Sequence, residues 1–202
     1  MLNEAKMAYL GGRQDAHPSS QPWLALACDV GGFSMDIALL YVKPTTGSID
    51  VLAKRSDSLY IGDGWLVSDI VDDIMFGATD DKPVPMDSES LVRFFVEQYF
   101  TALYLGEEPK SEYISSGDRK PRIQFGHVIE RYRKKQIEDV RACIRKLLRR
   151  VEGVAELVVT GGGAQDWGLV DAINEVSGSA LAPGVRAHVA PRPSPEWVIA
   201  ST

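Results

Sequence analysis

Two short stretches of this chain set glycines beside carboxylates or hydroxyls, a combination able to hold a phosphate group. The first is Asp29-Val30-Gly31-Gly32-Phe33-Ser34-Met35-Asp36. An apolar run ends in a carboxylate, two glycines make a tight turn, a hydroxyl follows, and a second carboxylate opens the next apolar run. Glycines let backbone N–H groups converge on an anion with no Cβ in the way. Ser34 can add a hydroxyl donor. Asp29 and Asp36 can organise Mg²⁺ through its waters, because Mg²⁺ favours a few carboxylates together with phosphate oxygens. A glycine-containing β-hairpin with two solvated aspartates explains the same residues without a ligand.

The second stretch is Leu157-Val158-Val159-Thr160-Gly161-Gly162-Gly163-Ala164, a buried strand running into a glycine turn and then a helix. At such a junction the backbone can lie flat against a nucleotide. The dinucleotide pattern Gly-x-Gly-x-x-Gly is not met, since the glycines are consecutive and Gly168 comes five residues later; no Gly-Lys-Ser/Thr loop occurs either. A plain strand-to-helix connection with flexible glycines is the ligand-free reading.

The elements that must position these turns are legible from the hydrophobic pattern. Trp23–Cys28 is a continuous apolar run, as in a strand buried on both faces; Ile37–Val42 is a second, and Ile49–Ala53 starts a third. Three strands joined by short turns predict an antiparallel meander. Gly64–Phe76 and Ser88–Tyr104 read as helices, with a short strand at Glu112–Ile114. A long amphipathic helix is expected from Gly126 to Glu152, then a strand at Leu157–Val159, a helix at Trp167–Val176 and a last strand at Val185–Val189. The first ten residues form a helix stopped by Gly11-Gly12.

Composition narrows the function classes. The 202 residues suffice for one large domain or two small ones, and 45% apolar with 25% charged residues is an ordinary globular balance. A net charge of -6 disfavours nonspecific binding to nucleic acid or anionic membranes. No apolar run nears the ~20 residues that span a bilayer, and the start lacks the order of a signal peptide. Cys28 and Cys143 lie far apart without metal-ligand spacing, so a reducing, cytoplasmic compartment is the default. Nine of the 22 basic residues fall between His127 and Arg150, which reads as the solvated face of the long helix. His17, His127 and His188 form no triad with a serine or cysteine, and Cys28 reads as a core residue.

In this order, and about 130 residues apart, the two turns resemble those of the second lobe of the 70-kilodalton heat-shock (DnaK-type) ATPases, within the actin/sugar-kinase superfamily. That family's phosphate loop reads Asp-x-Gly-Gly-Gly-Thr-x-Asp, matched here by Asp29, Gly31, Gly32, Ser34 and Asp36. Its adenosine loop is matched by Gly161, Gly162 and Gly163. Its Gly-Gly turn before a helix is matched by Gly62 and Gly64, and its lobe-crossing segment by Asn3-Glu4-Ala5-Lys6-Met7-Ala8. The resemblance spans nearly the whole chain and is nearest to the divergent heat-shock-70-like proteins. Three departures accompany it. Phe33 replaces a glycine, Gln165 stands where an arginine stacks on adenine, and Glu97-Gln98-Tyr99-Phe100-Thr101 lacks the basic residues that clamp adenosine.

The resemblance implies an α/β fold of the ribonuclease-H-like, actin-like ATPase kind: a mixed sheet of about five strands flanked by helices. A small helical insertion at about 63–121 would lie within the lobe at 23–202, and residues 1–22 would be a remnant of the lobe-crossing helix and loop. It implies ATP/ADP and Mg²⁺ as cofactors. Asp29 and Asp36 would act catalytically through Mg²⁺ waters and the attacking water, Gly31, Gly32 and Ser34 would hold phosphates, and Gly161 to Gly163 with Gln165 would face adenosine. Hydrolysis would need a first lobe, whose phosphate loop and catalytic lysine are absent before Asn3. A companion lobe or another protein partner is therefore expected. The alternative is a non-catalytic interaction module that binds no nucleotide; a small kinase of the same superfamily is a third possibility. Two structural expectations follow. Both glycine turns should lie on adjacent strand ends at one end of the sheet. An apolar face should be exposed at Leu2, Met7, Tyr9 and Leu10, and at Trp197, Val198 and Ile199.

Overall fold

Strands buried on both faces have no polar side to show, so their apolar runs are unbroken, and such runs form the centre of the sheet. The computed structural model describes residues 6–7, 9–11, 20–31, 34–60, 63–76, 89–110, 112–114, 122–185 and 187–189. β1 (Trp23–Val30), β2 (Met35–Lys43) and β3 (Ser48–Leu59) form the expected antiparallel meander. After the intervening helices, β6 (Val154–Thr160) returns parallel to β1, and β7 (Ala187–Val189) pairs parallel to β6. The order is β3-β2-β1-β6-β7, a mixed sheet of five strands. β3 runs six residues beyond the expected Ala53. Its second half, Lys54–Leu59, is a polar sheet edge and carries no apolar run to announce it.

Between β3 and β6 lie α1 (Asp63–Phe76), α2 (Glu89–Leu105), a hairpin of β4 (Glu112–Ile114) and β5 (Arg122–Gln124), and α3 (Gly126–Leu147). α4 (Trp167–Ser177) follows β6. One sheet face packs Leu26, Cys28, Ile37 and Leu157 against Val140 and Ile144 of α3 and Leu169 and Ile173 of α4. A separate core joins Ile70 and Val71 of α1, Val96 and Phe100 of α2, and Phe125 and Ile129 at the start of α3. Burying a side chain of this size contributes roughly 1.5–3 kcal/mol before the entropy of ordering it.

The opposite sheet face is lined by small residues, Ala25, Ala27 and Ala38, and is covered by Tyr9 from the N-terminal helical residues. Tyr9 is wholly buried. Its hydroxyl donates to Glu156, and Trp23 Nε1 donates to the same carboxylate at 3.1 Å. The expected exposed N-terminal face is thus only partly realised. Met7 and Leu10 are exposed while Tyr9 anchors the segment to the sheet; Leu2 and Trp197–Ile199 lie outside the described residues.

α3 stops at Leu147, short of the expected Glu152. Arg150 takes a left-handed φ of 63°, Gly153 one of 73°, and Arg55 Nη1 donates to the terminal Leu147 carbonyl at 2.8 Å. The basic face of α3 is largely solvated, as expected, with Arg133 and Arg141 the partly buried members. Arg131 pairs with Asp73, Arg141 with Glu175, Lys146 with Asp57 at 3.0 Å, and Arg133 is mostly buried.

Both cysteines are buried in the core beneath α3. Burial, with the neighbouring Asp57 carboxylate, pushes the Cys143 thiol up to about 11, and burial raises Cys28 further still. Only about one thiol in a thousand at Cys143 is then ionised at pH 8, where an unperturbed cysteine reacts freely. Iodoacetamide at pH 8 is expected to leave both cysteines unmodified in the native chain and to modify both in urea, as read by mass spectrometry.

Candidate functional site

Strand register decides which side chains share an end and a face of the sheet. Asp29 of β1 lies opposite Asp36 of β2 and also opposite Thr160 of the parallel strand β6. Asp36 in turn lies opposite Ser58 of β3. Directly paired residues project to the same face. The row Ser58, Asp36, Asp29, Thr160 therefore crosses four strands at one level, two residues beyond Ala27, Val158 and their partners on the small-residue face.

Both glycine turns begin where this row ends, on adjacent strand ends as expected. In the first, Gly31 N–H donates to the Ser34 carbonyl at 2.8 Å, and the Ser34 hydroxyl donates to Asp36 Oδ2 at 3.4 Å. Gly32 and Phe33 lie outside the described residues. In the second, Gly161 has a φ of 90°, and a Cβ there would fall 2.3 Å from the Val30 carbonyl oxygen and 2.7 Å from Asp29 Oδ1. Only glycine fits, in backbone conformation and in space. That contact also shows the Asp29 carboxylate leaning across onto β6. At Gly162 a Cβ would meet nothing, so the turn presents open backbone there, while Gly163 is buried.

Gly162–Gln165 forms a short 3₁₀ turn, with Gln165 half-buried. Its exit is fixed by Asp166, which is 5% exposed and caps α4 by accepting from Gly168 N–H at 3.0 Å and Leu169 N–H at 3.3 Å. Arg133 Nη2 from α3 donates to both Asp166 oxygens, at 2.7 and 2.8 Å. An aspartate before a helix is a recognisable cap, but nothing in the spacing of Arg133 announced its partner 33 residues away. Ser58 and Thr160 were also missed, since only register reveals them. Gly64 lies in the first turn of α1, which follows β3 from the same end of the sheet, where Leu59 pairs with Met35; Gly62 is outside the described residues.

The donor set fits magnesium held through its own waters. Two carboxylates stand about 5 Å apart at their Cα atoms, flanked by hydroxyls, and no group of three or more metal-binding side chains exists among the described residues. A phosphate-bound, hydrated Mg²⁺ asks for this and no more.

No described protein family matches the sequence, and no curated protein does. Solved structures do match. The archaeal actin homologue Ta0583 superposes with a TM-score of 0.53 at 22% identity, over 95% of this chain and 48% of that one. The fold is that of an actin-like lobe. A non-polymerisable quadruple mutant of pCBH ParM superposes with a TM-score of 0.51 at 13% identity, over 87% of this chain and 43% of that one. The chain thus spans about half the length of the actin-like structures it matches.

Two substitutions test how the second turn is held. Gly161→Ala should cost at least about 2 kcal/mol, from forced backbone strain and the clash with Val30, whereas Gly162→Ala should stay within about 0.5 kcal/mol. Asp166→Ala removes the α4 cap and strands the Arg133 guanidinium, a loss on the order of 3 kcal/mol. Urea unfolding of the three variants against the parent chain measures all of these.

Proposed function

We propose that this chain is a nucleotide-binding lobe that holds ATP or ADP with Mg²⁺ at the end of its sheet. The observation carrying this reading is the register itself. It sets two carboxylates opposite each other and packs the first glycine of the second turn onto one of them. Like charges directly opposite in an antiparallel pair are unfavourable, and a cation shared between Asp29 and the 9%-exposed Asp36 would relieve that apposition.

In this reading the turn Gly31–Ser34 supplies backbone and hydroxyl donors to the phosphates, and Asp29 and Asp36 hold the waters of the magnesium ion. Gly161 to Gly163 lie against the adenosine, with Gln165 at its edge. Bound Mg²⁺ would neutralise charge on the phosphates. An aspartate of the pair would orient an attacking water, and hydrolysis would draw its remaining donors from an opposing lobe or partner protein. The finer assignment, to a divergent heat-shock-70-like ATPase, rests on the motifs from Asp29 to Asp36 and from Gly161 to Gly163.

A site contacted from one side loses several kcal/mol of binding. Gln165 and Phe100 are poor substitutes for cationic stacking on adenine. Titration of the purified chain with ADP and MgCl₂ should give a Kd on the order of 100 μM or weaker, and Asp29→Asn or Asp36→Asn should weaken it at least about tenfold. A sub-micromolar Kd would mean that a second copy closes the site. No binding up to about 10 mM would instead favour the interaction module.

A further inference from the structure

Thr160 is the one hydroxyl in the polar row that stands on the strand leading directly into the second glycine turn. It is half-buried and in register with Asp29. Neighbouring strands lie about 4.8 Å apart, so the two side chains can share one water molecule. The Asp29 carboxylate reaches across to the chain leaving β6, with Oδ1 2.7 Å from the position of a Cβ on Gly161, the residue after Thr160. A threonine hydroxyl can accept from a metal-bound water and donate to a phosphate oxygen at once, which a carboxylate cannot do.

We infer that Thr160 is a positioning residue for the hydrated divalent cation of the bound nucleotide, its hydroxyl sharing with Asp29 a water of that cation. The inference rests on the nucleotide-binding reading and adds to it a group that links the two glycine turns. Its role is confined to the cation. The adenosine contacts of Gly162 and Gln165 do not pass through the Thr160 hydroxyl, so nucleotide without metal should be indifferent to it.

The test uses Thr160→Val, which keeps the shape and β-branching, and Thr160→Ser, which keeps the hydroxyl. Each is titrated with ADP in MgCl₂ and with ADP in EDTA, followed by NMR, with thermal unfolding as a check on the fold. Thr160→Val should bind ADP about tenfold more weakly in magnesium, the scale of one hydrogen bond to a charged assembly, and within about twofold of the parent in EDTA. Thr160→Ser should recover most of the magnesium-dependent affinity. Parent-like binding by Thr160→Val in magnesium overturns the inference, as does an equal loss with and without magnesium. If Asp29→Asn loses magnesium-dependent binding while Thr160→Val does not, the nucleotide reading stands and the role of Thr160 falls. If the parent chain binds no ADP, both fall.

Discussion

The parallel pairing of β1 with β6 is the constraint on which the rest of the structure depends. These strands are separated by more than a hundred residues, yet Asp29 and Thr160 meet in register, and the chain can turn away from β6 only through a residue without a side chain. Gly161 sits against the Val30 carbonyl and the Asp29 carboxylate, so the ends of the two strands are locked at a fixed height. Moving β6 by one residue would invert its faces. Leu157 and Val159 would leave the core beneath α3 and α4, and Thr160 would leave the polar row. Packing and site geometry are therefore set by the same register.

The two sheet faces divide the labour. Under α3 and α4 the packing is dense and apolar, and burial there pushes both cysteine thiols up. On the other face small side chains leave room for the N-terminal helical residues, tied down through Tyr9 and Glu156. The polar row continues that same face just past the last alanines. A segment anchored at Tyr9 thus lies on the same side of the sheet as the aspartates, which register places two residues further along it.

What the sequence made legible follows from what is local. The apolar runs of β1 and β2, the glycines that end β1 and β6, and the periodicity of α3 each declare themselves within ten or twenty residues. From them the meander could be read, and the resemblance carried by the two glycine turns implied the mixed sheet of about five strands in an actin-like lobe. The polar half of β3 was missed because an edge strand with a wet side has no apolar signature. The early stop of α3 was missed because the apolar periodicity runs on past it, and the Arg55 guanidinium that meets its terminal carbonyl comes from a distant strand. Arg133 looked like one of several surface cations, and only the fold brings it to Asp166. The same holds for Ser58 and Thr160, whose place in the polar row is a property of pairing and of nothing in their own neighbourhoods.

The choice between a nucleotide lobe and an inert module turns on Asp36. It is the one acid in β2, among neighbours Met35, Ile37, Ala38, Leu39 and Leu40 that are all buried and apolar. A strand selected for stability alone would carry a β-branched residue there, which would gain burial and remove the apposition with Asp29. The glycines speak to the same point differently. Gly161 is demanded by the fold and would be present in an inert module too, but nothing in the packing demands glycine at 162, where a side chain would meet no atom. The proposed nucleotide site would give both residues one role, Asp36 toward a shared cation and the open backbone at Gly162 toward a ligand.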